Sequence, residues 1–447
     1  MNYLKRKALK FQLNPPAVLA GGFLSLILIG AILLNLPLAS KNGESIGFIN
    51  ALFTSSSAVC VTGLVVVNTA KHWTLFGQIV IISLIQMGGL GFMTMATMVA
   101  LLLGKKIRLK ERLIIKEQLN QDSMGGLVKL TKYVIYITLA IESLGAILLS
   151  FTFIPDHGWV KGIWFSVFHS ISAFCNAGFD IMGDSLVPFV GDPWINIIIA
   201  SLVILGGLGF SVYVDIYRHR KFKKLTLHSK IVITMTFILL LLGTIILFMI
   251  EHNNPDTIGN FDNKTKVLAS FFQSAITRTA GFNSINLGAL KDTSVFLMII
   301  LMFIGGSPGS TAGGIKTTTF GVLVLTTFST IRGNRDVGVF NRRISYEIVN
   351  RALAIIMIAL TIILIVSFTL SITEEAGLLD LMFETTSAFA TVGLTRGITP
   401  SLSDAGKLLI SSTMYIGRVG ALTMAFAFGS SKKHKTYREA EENITIG

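Results

Sequence analysis

The sequence predicts an all-α integral membrane protein with eight transmembrane helices and four re-entrant pore loops, arranged as pseudo-fourfold helix–pore loop–helix (M1-P-M2) repeats. Three observations predict it: an apolar composition, basic residues gathered in alternate loops, and one glycine-ended segment that recurs four times. Of 447 residues, 52% are hydrophobic and 14% charged, too few polar residues to cover a water-soluble surface of this size.

A hydrocarbon core about 30 Å thick requires roughly 20 apolar residues per spanning helix. Val18–Leu38, Trp73–Leu103, Tyr133–Ile154, Ile195–Tyr217, Ile231–Ile250 and Ala352–Ile372 meet that length. Val295–Ile331 and Leu408–Phe428 do so with glycine interruptions and a charge. The first segment follows a basic region, but it is longer than a signal-peptide core and reads as a retained helix.

The net charge of +14 does not mark a nucleic-acid-binding face, because its residues cluster between spans. Lys5, Arg6, Lys7 and Lys10 precede the first span, Lys105–Lys116 follow the second and Arg218–Lys230 the fourth. Arg332, Arg335, Arg342 and Arg343 follow the sixth; Lys432, Lys433 and Lys435 follow the eighth. The intervening loops carry acids such as Asp156, Asp184, Asp192, Glu251, Glu374 and Glu375. By the positive-inside rule both termini are cytoplasmic. The expected organisation is a cytoplasmic N-terminus (1–15), repeat one (16–104), a linker (105–130), repeat two (131–218), a linker (219–227) and repeat three (228–331). A linker (332–344), repeat four (345–429) and a cytoplasmic tail (430–447) complete it.

Each acidic-side loop holds a further apolar segment of about 11 residues, too short at ~16 Å to cross a bilayer. Ala51–Leu64, Ser166–Phe179, Ala269–Phe282 and Leu381–Leu394 align without gaps, with a phenylalanine (Phe53, Phe168, Phe271, Phe383) ten positions before a glycine (Gly63, Gly178, Gly281, Gly393). A segment that enters and returns is tolerated only where protein buries it or it lines a wet cavity. The expected ion-binding filter is Val61-Thr62-Gly63, Asn176-Ala177-Gly178, Thr279-Ala280-Gly281 and Thr391-Val392-Gly393, whose carbonyls replace a cation's hydration shell.

A second motif follows each loop: Gly88-Gly89-Leu90-Gly91, Gly206-Gly207-Leu208-Gly209, Gly305-Gly306-Ser307-Pro308-Gly309 and Gly417-Arg418-Val419-Gly420. In the third repeat it opens into Gly305, Gly306, Ser307, Pro308, Gly309, Ser310, Thr311, Ala312, Gly313 and Gly314, followed by Ile315 and Lys316. Pro308 and five glycines cannot hold a continuous helix there. The tract reads as a break below the filter, able to obstruct the conduit. Arg418, aligned with it, is costly at mid-membrane and reads as an electrostatic barrier or a clamp on the tract backbone. Lys316 reads as snorkelling or as part of the barrier. The tract is not a phosphate loop, because Ile315 separates Gly314 from Lys316, and the Gly-Gly-Leu-Gly motifs lack a βαβ setting. No covalent chemistry is expected.

Taken together, these motifs resemble the ion-translocating subunit of the Trk/Ktr/HKT superfamily of potassium transporters, most closely the compact bacterial KtrB type, from about Pro16 to Gly429. The resemblance implies a pseudo-fourfold pore resembling a potassium channel and a plasma-membrane location. It further implies a homodimer and a cytoplasmic, nucleotide-binding RCK (KtrA-like) ring as regulatory partner. The chain itself would hold no cofactor; it would carry K+, with Na+ stimulating transport or sharing it. Related plant transporters with serine at the first filter position favour sodium; Gly63 here favours potassium.

Four further residues are singled out. Cys60 and Cys175, three positions before their glycines, read as packing behind the filter. Arg278 holds the same position in repeat three and needs a partner, for which Glu384 is a candidate; Asp180 reads as a mouth acid or a loop acid.

Overall fold

A computed structural model describes residues 15–91, 94, 95, 97, 107, 109–118, 126–334, 336–428 and 442. The basic residues 5–10, 105, 106, 108, 335 and 432–435, and most of the stretch 92–103, lie outside the described residues.

Most of the described chain is helical, and the strands among the described residues form a small antiparallel hairpin pairing Val337–Val339 with Arg342–Ile344. Four times the chain runs through a long helix, a short helix and a broken helix. The long helices are Pro15–Leu34, Leu127–His157, Leu227–Glu251 and Tyr346–Thr373, each long and apolar enough to cross a membrane. Their outward faces expose Leu24, Ile29, Phe151, Phe237, Leu364 and Phe368, as a helix surrounded by hydrocarbon requires.

The short helices are Phe48–Cys60, Trp159–Phe174, Asn263–Ile276 and Leu378–Phe389, with 13, 16, 14 and 12 residues. They are somewhat longer than expected, yet at roughly 18–24 Å still fall short of a bilayer. Their C-terminal turns are fully enclosed: Phe53, Phe168 and Phe383 are inaccessible, while in the third Phe272 takes the buried place instead of Phe271.

Hydropathy concealed an anchor between long and short helices. Ser55, Ser170 and Ser274 donate to the carbonyls of Ile27, Glu142 and Leu240. Each acceptor lies three residues before a glycine (Gly30, Gly145, Gly243) whose missing side chain admits the serine, since a Cβ there would lie 2.3–2.5 Å from its Oγ.

The second helices depart from the expectation of three continuous spans and one break: in all four the described helix ends at the second motif. Leu75–Leu90 ends at Gly91, and Asp404–Val419 ends at Gly420 before Ala421–Phe428. Pro193–Gly207 and Phe210–His219 meet at 91° across Leu208 and Gly209. The three glycines share nearly one conformation, φ 80°, 91° and 95° with ψ 138°, 135° and 126°, which an L side chain rarely adopts. The third breaks between Asp292–Phe303 and Thr317–Ile331.

Candidate functional site

The four glycine-ended segments meet at one place. At the end of each short helix the backbone alternates in hand: Val61, Asn176, Thr279 and Thr391 have φ of 59°, 62°, 99° and 50°. Gly63, Gly178, Gly281 and Gly393 follow two positions later at 94°, 68°, 69° and 90°. Alternating left- and right-handed residues turn successive carbonyls to one side rather than to opposite sides as in a strand. The turns are held locally. The amides of Thr62, Ala177 and Val392 reach back to the carbonyls of Ser57, Ser172 and Ser387 at 2.7–2.8 Å, and those of Gly63 and Gly393 bond the hydroxyls of Ser57 and Ser387 at 3.0 Å.

The glycines show how the segments are ordered. A Cβ on Gly63 would lie 2.3 Å from the carbonyl oxygen of Ala177, and one on Gly178 2.5 Å from that of Ala280. One on Gly281 would lie 2.6 Å from that of Val392, and one on Gly393 1.9 Å from that of Thr62. Each segment therefore abuts the next and the fourth abuts the first. The result is a closed ring of glycines and the carbonyls that precede them.

Just outside this ring, the first glycine of the second motif admits a carbonyl from the end of the short helix. A Cβ on Gly88, Gly206 or Gly417 would lie 1.9 Å from the oxygen of Val59, Phe174 or Phe389. Gly305, their counterpart, meets Gly313 of its own tract instead, at 2.1 Å.

That tract is an ordered loop with two sets of partners. It closes on itself through Gly305 N to Ile315 O (3.0 Å), Gly306 N to Gly313 O (3.3 Å) and Thr317 N to Gly306 O (3.0 Å). It also fills the break of repeat two. Gly206 and Gly207, carbonyls left over at a helix C-terminus, accept from the amides of Thr311 and Ser307 at 3.2 and 3.0 Å, and Phe210 N donates to Gly309 O at 2.9 Å. The Thr311 hydroxyl lies 2.9 Å from Phe174 O, and the Asn176 side chain donates to it at 2.8 Å, so the side chain of Asn176 faces the tract.

Across the tract lies Arg418. Its guanidinium donates to the carbonyls of Thr311, Gly88 and Gly89, tying repeats one, three and four together. Lys316 donates to Ala312 O at 2.7 Å and turns back onto the tract. Pro308–Ser310, Ala312–Lys316 and Arg418 border a cavity of about 580 Å³ that extends to Arg351 and the Tyr346–Thr373 helix.

One sequence expectation needs correction. Arg278 does not pair with Glu384: it donates to the carbonyls of Thr236 and Gly305, both at 3.4 Å, while Glu384 accepts from Thr399. Repeat three thus supplies backbone acceptors where a carboxylate was expected. Asp180 spends its Oδ1 on the amides of Met182 and Gly183, as a loop acid does. Hydropathy also masked a carboxylate inside a span. Glu142, in the middle of the Leu127–His157 helix and buried, accepts from Gln86 at 3.2 Å beside the Cys175 thiol. Its polarity was legible; its surroundings were not. Both cysteines are free and buried, and Cys175 packs against Gly89.

Comparison with known proteins adds three findings. Residues 23–437 match the family described as TrkH, cation transport protein. The chain is 44% identical over 434 residues to Ktr system potassium uptake protein B of Bacillus subtilis, covering 97% of each, and 43% identical over 450 residues to the potassium/sodium uptake protein NtpJ of Enterococcus hirae, covering 99% and 100%. Its fold resembles that of the potassium transporter TrkH from Vibrio parahaemolyticus with a TM-score of 0.71 at 17% identity, over 94% of this chain and 86% of that one.

Proposed function

Because the chain belongs to the TrkH family of cation transport proteins, we propose that it takes up potassium across the plasma membrane through a filter formed by its four glycine segments. The family is one of transporters, and the chain is a transporter rather than an enzyme. The observation that carries the proposal is the closed ring in which each glycine abuts the carbonyl of Ala177, Ala280, Val392 or Thr62 in the next segment. Carbonyls gathered in this way can substitute for water around a dehydrated cation, and four short helices directing their partially negative C-termini inward favour positive charge.

On this reading the long and broken helices make eight spans, the short helices with their returning segments make four re-entrant loops, and the repeats occupy 16–104, 131–218, 228–331 and 345–429. Both termini lie in the cytoplasm. The tract from Gly305 to Gly314, with Lys316 and Arg418, is the gate: it lies between the ring and the cavity and is held across repeats by hydrogen bonds that an opening motion must break. A second copy of this chain and a cytoplasmic nucleotide-binding ring of RCK type complete the transporter, which accords with the naming of its relatives as parts of a Ktr system. A second reading, potassium–sodium cotransport or sodium selectivity, is favoured by the similarity to a potassium/sodium uptake protein.

Ion flux into vesicles reconstituted with the purified protein, with potassium and sodium varied independently, separates the two. Replacing Gly63, Gly178, Gly281 or Gly393 by Ser is expected to lower potassium-over-sodium discrimination at least about tenfold, because the side chain displaces a ring carbonyl. Unchanged discrimination in all four variants removes the filter.

A further inference from the structure

We propose that Glu384 is a positioning residue for the ring, holding the fourth filter strand against the first through the outer arch Leu394–Thr399. The inference rests on the filter reading above and adds a specificity-determining side chain to it.

Glu384 stands nine residues before Gly393 on the short helix of repeat four and is inaccessible to solvent. In the other repeats the residue at this position makes no hydrogen bond to the strand leaving the glycine. Thr54 donates to Asn50 O and His169 bonds Phe165 O, both within their own helix, and Phe272 is apolar. Of the four, Glu384 alone hydrogen-bonds off its helix: it accepts the hydroxyl of Thr399, which lies 3.0 Å from the hydroxyl of Thr395 on the chain leaving Gly393.

Two neighbours on the same helical face grip the same strand. Asp380, one turn earlier, pairs with Arg396, and Ser387, one turn later, accepts the amide of Gly393 at 3.0 Å. Positions i, i+4 and i+7 form one stripe, so a single face fixes the strand at its glycine and at two points beyond. In repeat one only the serine contact recurs, through Ser57.

The place of this stripe gives it consequence. The junction it fixes, Gly393 against Thr62 O, is the tightest of the four. Relaxing the arch lets the fourth strand recede, which widens the spacing between the Val392 and Thr62 carbonyls. A ring that no longer matches a dehydrated potassium ion loses discrimination against sodium before it loses flux.

The test is the potassium-to-sodium permeability ratio of reconstituted full-length protein, read beside its thermal unfolding in detergent. Glu384→Gln keeps an acceptor for Thr399 and is expected to hold the ratio within about twofold. Glu384→Leu and Thr399→Val are each expected to lower it about tenfold, the worth of one buried hydrogen bond to a carboxylate, and together to lower it no further. Thr399→Val is nearly isosteric and serves if Glu384→Leu fails to fold. A wild-type ratio in Thr399→Val, or a drop in unfolding temperature with the ratio unchanged, overturns the proposal. Gly393→Ser in the same assay separates the two readings: if it loses selectivity while Thr399→Val keeps it, the filter stands and the role of Glu384 falls. If Gly393→Ser keeps selectivity, both fall.

Discussion

At one aligned position, the second helix of repeat two turns on a single glycine, whereas that of repeat three opens into a loop from Ile304 to Lys316. One residue closes the sharp turn to repeat three. Gly209 takes φ 91°, as do its counterparts Gly91 and Gly420 within about fifteen degrees. Pro308 holds their place in repeat three, and its ring fixes φ near −65°, so that sharp turn is closed to it. The chain leaves the helix four residues earlier and resumes at Thr317. The two solutions also depend on each other. The break in repeat two leaves the carbonyls of Gly206 and Gly207 and the amide of Phe210 without helical partners, and the tract of repeat three supplies those partners.

The comparison is broken most severely by side chains at the first glycine of the motif. Gly206→Ala or Gly417→Ala drives a Cβ into a short-helix carbonyl at 1.9 Å, with backbone on both sides and no room to yield. Overpacking of this kind costs about 3 kcal/mol or more, a large share of a protein's stability, and a fall in detergent unfolding temperature is the expected outcome. Gly305→Ala meets the tract's own Gly313 and Gly314, so it should displace the tract, lose less stability and raise flux. Equal losses in all three variants would show that repeat three is no exception.

How much of this the sequence disclosed depends on whether a feature is local. The four segment-ending glycines, their shared register and the odd tract are properties of residue type and spacing, and they were legible. The breaks at Gly91, Gly209 and Gly420 were not, because glycines within an apolar run read equally as close packing and as a turn; only the absence of a glycine at Pro308 stood out. The acceptors of Arg278 were missed because a buried guanidinium can be satisfied by backbone carbonyls, which carry no sequence signature. The seating of Ser55, Ser170 and Ser274 beside glycines of another helix is a tertiary contact that periodicity does not encode.

Arg418 sharpens the comparison at a smaller scale. It is the one side chain of repeat four that bonds the tract, through Thr311 O, among the described residues, whereas repeat two holds the tract through the side chain of Asn176 and through backbone groups that mutation cannot remove. Arg418→Gln shortens the reach and gives up these charge-assisted bonds. A shift of about 1.4 kcal/mol toward the displaced tract raises flux about tenfold with the permeability ratio unchanged. Lower flux at equal abundance would mean that the tract is scaffold for the pathway and not its gate.

The smallest effect comes from the proline that stands where the other repeats have a glycine. Pro308→Gly gives repeat three the glycine that its neighbours use, and two outcomes compete. If the proline alone keeps the tract open, the chain can now adopt the sharp turn, the tract withdraws, and flux rises at least as much as in Arg418→Gln. If the tract is held by its bonds, the variant adds only backbone freedom, worth about 0.5–1 kcal/mol, and flux changes less than about fivefold. The structure favours the second. The ladder from Gly305 to Ile315 and the bonds to Gly206, Gly207 and Phe210 do not involve the proline's ring, and withdrawing the tract would strand the broken helix of repeat two with unpartnered carbonyls. A small rise in flux, measured beside Arg418→Gln in the same vesicles, is therefore the expected result. A large one would assign the tract's position to the proline and leave its hydrogen bonds incidental.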